Sequence, residues 1–293
     1  MTHLRQRMLE ELQRRNYAET TIASYVRAVE LYARHFRQRP DELGPEHLRQ
    51  YQLHLIDRKL ATNTIVQQIS GLRFFYVKTL GRGYPELKLP NPKQETRLPV
   101  VLSREEVRRL FAAAPSLYRY TILLTLYATG MRRSEVCRLQ LADIDSQRMI
   151  IHIRQAKGRR DRDVPLRPKL LRVLREWWRS LRPPLYLFPG GRYHTAADRP
   201  ITSKAIWQVV RDASQRAGIS KRISPHTLRH SRATHLLEAG TDLATIQRLL
   251  GHADLESTTL YLHLSDRHLQ AVSDPVDQIR LPNFLPEPRR RRP

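Results

Sequence analysis

His226 and Arg229 stand three positions apart in the stretch SPHTLRHSRATHLLEAGTDLATIQRLLGHADLESTTLYL, residues 224–262. On a helix, positions three apart share a face, so both side chains can point at one target. Arginine offers a planar fork to two oxygens and histidine a titratable donor or base, a pairing that suits a phosphodiester. Gly240 and Gly251 read as helix C-caps, which leaves His252 and Tyr261 just past helix ends, where they can be aimed inward. Leu228, Leu236, Leu237, Ile246, Leu249 and Leu250 account for the core of the same stretch, but they do not explain the polar residues between them.

Two further places hold candidate chemistry. In TGMRRSEV, 129–136, a Thr-Gly turn exposes Arg132 beside a new helix that Ser134 can cap. Glu135, one turn along, can orient an arginine through a charge-assisted bond. In the turn Ala156-Lys157-Gly158-Arg159-Arg160-Asp161, lysine stands where this chain otherwise prefers arginine. A lysine can give up its proton and an arginine practically cannot, so Lys157 is a candidate proton donor. A solvated turn lysine is the plain alternative.

The elements that must position these residues are mostly helices. In the first 84 residues the spacing predicts four short ones. Leu4, Met8, Leu9 and Leu12 form one stripe; Ile22, Tyr25, Val26, Val29, Tyr32 and Phe36 form a second, capped by Thr20 or Thr21. Gly44-Pro45 opens the third, with Leu48, Tyr51 and Leu55 inward. The fourth starts at Thr62 or Thr64 and ends at Gly81. Residues 85–99, with four prolines and no periodicity, read as an interdomain linker.

A second domain, 100–275, opens on a capping box at Ser103 and Glu106. It continues with an apolar helix over 118–128 and a β-hairpin, 149–154 and 162–166, around the basic turn. Further helices follow over 170–181, with Trp177 and Trp178 partly buried, and over 202–217, stopped by Gly218. A short strand is expected near 187–190. Residues 276–293 read as a proline- and arginine-rich tail. The fold class is mainly α with a small β-sheet.

Composition narrows the partners. Lys+Arg 52 against Asp+Glu 28 gives a formal net charge of +24 and a pI near 11.0, a field that favours a polyanion, nucleic acid by default. The basic residues spread along the whole chain, so both halves are expected to touch a nucleic-acid backbone. No apolar run approaches the ~20 residues of a membrane span, and the first residues have no signal-peptide core. The single cysteine, Cys137, leaves no internal disulfide and no cysteine-built zinc site. A cytoplasmic, nucleoid-associated setting is the expectation.

The motifs resemble, in order and spacing, those of the tyrosine recombinases, the phage-integrase and Xer-type enzymes that cut and rejoin DNA. Arg132 in TGMRRSEV, Lys157 in the hairpin turn, His226 and Arg229 in HTLRH, His252 in LLGH and Tyr261 in STTLYLHLS carry it. A lone HxxR would mean nothing; six positions in matching contexts are specific. The resemblance implies an N-terminal helical, SAM-like core-binding domain, a linker and a catalytic domain. It implies that Tyr261 attacks the scissile phosphate to give a 3′-phosphotyrosyl enzyme and a free 5′-hydroxyl. Arg132 and Arg229 would hold the non-bridging oxygens and Lys157 would protonate the leaving 5′-oxygen. His226 would assist proton transfer from Tyr261, His252 would donate to the phosphate, and Glu135 would support. No cofactor, metal or ATP is implied. The implied partners are a double-stranded DNA recombination site and, on synapsed DNA, a homo-tetramer clamping it, with strand exchange through a Holliday junction. An accessory recombinase or DNA-bending protein is left open. The segment after Tyr261 lacks the usual Xer-type ending, which favours a mobile-element integrase.

Three rivals share parts of this pattern. A metal-dependent nuclease could use His226, His230 and His235, but the glutamate of the HExxH motif and any carboxylate triad are missing. In the recombinase reading, His230 and His235 are packing or hydrogen-bonding residues. A regulatory DNA-binding protein of the same fold would be expected to have lost Tyr261 or Arg229. A type IB topoisomerase shares the chemistry but not this length and two-domain plan.

Overall fold

The apolar stripes of residues 3–79 close on one another. The computed structural model describes residues 3–83, 90–93, 98–154, 161–191 and 196–251, and the chain divides into two units, 1–97 and 98–293. Lys157, His252 and Tyr261, most of the linker and the tail lie outside the described residues.

Four helices build the first unit: α1 His3–Arg14, α2 Glu19–Phe36, α3 Pro45–Asp57 and α4 Thr62–Phe74, the last continuing as a π-turn over Phe75–Thr79. Met8, Leu12, Val29, Tyr32, Leu48, Tyr51, Leu55, Ile69 and Leu72 form its core, as the helical spacing requires. The backbones of α2 and α4 come closest at Gly71, where a Cβ would fall 2.9 Å from Ala28 Cβ and 3.2 Å from the Tyr25 carbonyl oxygen. The fully buried Tyr76 directs its hydroxyl to the Pro40 carbonyl, 2.7 Å away. Thr20 and Thr21 do not cap α2. Its N-cap is Ala18, without a side-chain bond, and both threonines lie inside the first turn, where Glu19 meets the positive helix end. Proline at the first position opens α3, and Thr62 is the first residue of α4 after an Ala61 N-cap.

The second unit begins at α5 Arg104–Ala112. Here Ser103 Oγ accepts from Glu106 N–H at 3.1 Å, and Glu106 Oε2 accepts from Ser103 N–H at 2.7 Å, completing the expected capping box. There follow α6 Leu117–Thr129, the short α7 Arg133–Arg138, and a 3₁₀ turn Leu141–Asp143. Strands β1 Ile144–Asp145, β2 Ile150–Ile153 and β3 Arg162–Pro165 form one antiparallel sheet in the order β1-β2-β3. Its register sets Ile151 opposite Val164 and Ile153 opposite Arg162. Then come α8 Pro168–Leu181, the two-stranded β4 Pro189–Gly190 and β5 Ala196–Pro200, and three helices, α9 Ser203–Arg216, α10 Pro225–Glu238 and α11 Leu243–Leu250. Helix α6 is the central post, in contact with α8, α9 and α10. Ile122, Leu123, Leu126 and Leu228, all 0% exposed, fill the space around it.

Three expectations change. Ser134 does not cap α7: Arg132 occupies the N-cap, and Glu135 turns back to accept its N–H at 2.7 Å. The hairpin gains a third strand, β1, and residues 189–190 pair with β5, because two-residue strands have no periodicity to read. Trp177 is buried at 5%, its Nε1–H donating to the Leu187 carbonyl at 2.8 Å, whereas Trp178 is 39% exposed.

Candidate active site

The site forms where two helices end on glycines. Helix α6 stops at Gly130 and α11 at Gly251, both with φ of 65° in the left-handed region that favours glycine. A Cβ on Gly130 would meet Leu250 Cδ2 at 2.7 Å, so the two helix ends abut. A helix C-terminus presents unsatisfied carbonyls and the negative end of the helix dipole. Arginines answer both.

Helix α10 supplies the first. Ser224 caps it and Pro225 occupies its first turn, placing Arg229 one turn in and 3% exposed. Its Nη1 donates to the Gly130 carbonyl at 2.7 Å and its Nη2 to the Leu250 carbonyl at 2.8 Å. Arg132, just past Gly130, donates from Nη2 to the Gly251 carbonyl at 2.9 Å and from Nη1 to Glu135 Oε1 at 3.0 Å. Both arginines therefore grip consecutive carbonyls at one helix end. Among the described residues, neither of these Arg132 side-chain bonds involves Nε, and each Nη keeps a second proton to donate.

Glu135 is the counter-charge, with a side chain 5% exposed. Besides Arg132, it receives Arg162 through two bonds, Nη1 to Oε1 at 2.9 Å and Nη2 to Oε2 at 2.7 Å. Burial alone would raise its pKa, but the Arg162 bonds and charge, with those of Arg132, outweigh burial and hold the carboxyl below its ordinary value. The Arg162 guanidinium also lies against Gly251, where a Cβ would sit 2.8 Å from Arg162 Cδ and 3.0 Å from Cζ.

His226, one turn before Arg229, is exposed at the rim. Desolvation on its protein side lowers its pKa, helped by the positive charges of Arg229, Arg133 and Arg132, so the ring is neutral at pH 7. His235 Nδ1 lies 2.8 Å from the Tyr127 hydroxyl, a packing and hydrogen-bonding position. Among the described residues, no group of three His, Cys, Asp or Glu is placed to hold a metal.

Of the seven residues singled out by sequence, Arg132, Glu135 and Arg229 are brought together at the abutting helix ends, and His226 lies near enough to feel their charges. The other three fall outside the described residues. Sequence reading missed Arg162. Its signal was the period-two run Arg162, Val164, Leu166, whose last two members are 1% and 2% exposed and whose first must face the same way. An arginine on an inward strand face needs a buried acid, and Glu135 is that acid.

Chemically, the arrangement sets two arginines at abutting helix ends, where their guanidiniums can bind an anion, with a neutral imidazole nearby. Comparison with known proteins identifies the family. Residues 100–268 match the phage integrase family, and residues 4–86 match the phage integrase N-terminal SAM-like domain. A putative integrase/recombinase, y4qK, of Sinorhizobium fredii is 46% identical over 290 residues, covering 98% of this chain and 93% of the relative. The tyrosine recombinase XerD of Staphylococcus haemolyticus is 32% identical over 271 residues, covering 87% of this chain and 91% of the relative. Among solved structures, a lambda integrase tetramer bound to a Holliday junction shares the fold with a TM-score of 0.70 at 19% identity, covering 90% of this chain and 76% of the other. The chain belongs to the phage integrase family of tyrosine recombinases, enzymes that break and rejoin DNA in site-specific recombination.

Proposed function

We propose that Tyr261 is the nucleophile of a recombinase that cuts each strand through a 3′-phosphotyrosyl intermediate. The Tyr261 oxygen forms a bond to the scissile phosphorus, and the bond to the 5′-oxygen breaks. Lys157 supplies the proton that leaves with that oxygen. His226, neutral at pH 7, takes part in removing the phenol proton, and His252 donates to the phosphate. Arg132 and Arg229 hold the non-bridging oxygens and offset the charge that builds in the transition state, while Glu135 orients Arg132. Rejoining reverses the step with a 5′-hydroxyl from the partner strand, so the phosphodiester energy is conserved throughout.

The observation that carries this reading is the convergence of Arg132 and Arg229 on adjacent carbonyls of Leu250 and Gly251. The chain then runs directly on to His252, and Tyr261 follows nine residues later. In the same reading, residues 1–84 bind the core of the recombination site, 85–99 link, and 100–275 carry the chemistry. The working assembly is a tetramer on synapsed DNA that passes through a Holliday junction. Association with a mobile element is the role we favour; the higher identity to the Sinorhizobium integrase/recombinase than to the Staphylococcus XerD supports it.

The test uses nicked suicide duplexes drawn from DNA flanking the protein's own gene, incubated with protein in EDTA and resolved on a denaturing gel. The expected result is a protease-sensitive covalent adduct that Tyr261→Phe abolishes while site binding is retained. Adduct formation by Tyr261→Phe at the wild-type rate would remove Tyr261 from the nucleophile role. Cleavage only after a metal ion is restored would overturn the mechanism. Relaxation of supercoils without a defined site would move the chain to topoisomerase chemistry.

A further inference from the structure

We propose that Arg162 is a positioning residue for the cleavage step: it takes up the charge of Glu135, leaving Arg132 free to act on the phosphate, and it braces the chain at Gly251. The proposal rests on the assignment of Arg132 to the scissile phosphate made above.

Three observations lead to it. The first is geometry. Arg162 meets Glu135 with a two-pronged pair of bonds at 2.9 and 2.7 Å, whereas the Arg132 side chain reaches the same carboxylate through a single bond at 3.0 Å. The paired, parallel arrangement is the stronger of the two and fixes the plane of the carboxylate. The second is burial. The Arg162 side chain is only 10% exposed, less than the 18% of Arg132, and its Nε is buried with no hydrogen-bond partner among the described residues. An arginine facing solvent would leave Nε wet. This one accepts an unsatisfied donor in order to present both Nη groups to Glu135. The third is contact with the backbone. The stem and guanidinium of Arg162 lie in the space a Cβ of residue 251 would need, and it is the Gly251 carbonyl that Arg132 grips.

The electrostatic consequence follows from counting charges. Arg132, Arg162 and Glu135 sum to +1. With Arg162 present, the carboxylate is chiefly matched by a cation that cannot reach the substrate, and the surplus positive charge falls to Arg132. Without Arg162, the cation left bonded to Glu135 among the described residues would be Arg132. The carboxylate would then pair fully with it, cancelling its field and drawing its donors away from the phosphate. In a water-poor site such a change acts at short range and is weakly screened.

A purely structural ion pair would hold the fold together equally for every substrate, and the test separates the two roles. Single-turnover adduct formation is measured for wild type, Arg162→Met and Arg162→Lys. Each is given a suicide duplex with a normal scissile phosphate and one with a methylphosphonate at that position. The methylphosphonate replaces one charged non-bridging oxygen by a neutral methyl group, so its transition state carries less charge for Arg132 to offset. The expected result is DNA binding within about threefold of wild type and a loss of about 10²-fold in cleavage of the normal substrate by Arg162→Met, the size of losing one oriented donor. On the methylphosphonate the gap to wild type should narrow to under about tenfold. Arg162→Lys, which keeps the charge but not the fork, should fall between. Thermal melts accompany each variant; if Arg162→Met does not fold, Arg162→Lys carries the same comparison. Equal losses on both substrates, or cleavage by Arg162→Met at the wild-type rate, would overturn the positioning role while leaving the recombinase reading intact. Absence of an adduct from the wild-type chain would overturn both.

Discussion

Three histidines on α10 are held below the ordinary histidine range, and their partners explain how. Burial is the largest cause for each. His226 adds the charges of Arg229, Arg133 and Arg132, and at His230 burial, together with the neighbouring His226 and Arg229, brings the value to about 4. At His235, Glu238 pulls upward and Arg104 pushes down, and the ring bonds the Tyr127 hydroxyl. Neutral rings next to guanidiniums avoid stacking cation on cation, and a neutral His226 is able to accept a proton from a phenol. The same shifts make the fold sensitive to acid. An unfolded chain takes up these protons near pH 6.5, and the folded chain resists them. Stability is therefore fully present above that pH and is lost as pH falls from 6.5 toward 4. His230 alone, with its folded value near 4, should account for about 2 kcal/mol of loss by pH 5. Urea unfolding at pH 7.5 and pH 5 measures this, and His230→Gln should remove about that much of the difference. An unchanged acid sensitivity in His230→Gln would assign the effect to other groups.

The abutting ends of α6 and α11 explain why this site depends on glycine. At Gly251 two demands coincide: φ is 65°, and Arg162 occupies the Cβ position at 2.8 Å. Gly240, between α10 and α11, has φ of 84° but nothing within 4 Å of its Cβ position. Gly240→Ala should therefore cost only the backbone strain, about 1–2 kcal/mol. Gly251→Ala should cost that and also displace Arg162, with at least a ~10-fold further loss in adduct formation. Paired melts and single-turnover assays separate the two; equal effects from both substitutions would mean that Arg162 makes room without consequence. Much of this arrangement is legible in the sequence because helical signals are local. The stripes of α1 to α4, the Ser103–Glu106 box and the Gly-ended helices follow from spacing within a few residues. Caps among adjacent polar residues do not. Whether Ala18, Thr20 or Thr21 begins α2 depends on the angle at which the preceding chain arrives, and at α7 the reach of Glu135 back to Arg132 settles the start before Ser134 can. Arg162 escaped notice because its partner lies 27 positions away, and among so many arginines the period-two pattern was its only mark.

Across the whole chain, acids are outnumbered and often sit between two arginines. Glu11 pairs with Arg14 and, just past the end of α1, Arg15; Glu30 pairs with Arg27 and Arg34 on α2. Each trio keeps a net +1, as does the buried trio around Glu135. The exposed versions contribute little to stability, since water and salt screen them and flexible side chains must be ordered to form them. The formal net charge of +24 is the term that DNA binding should draw on. Each phosphate neutralised releases condensed counterions, so the logarithm of the binding constant should fall linearly with the logarithm of salt concentration, with a slope of about −0.9 per phosphate on duplex DNA. For roughly six to ten contacts, affinity should drop about 10³- to 10⁵-fold between 50 and 200 mM salt. Titration of a recombination-site duplex by fluorescence anisotropy across that range measures the slope. Tyr261→Phe should leave it unchanged, because the substitution alters no basic side chain. A slope near zero would mean that the surplus charge is not what holds the DNA.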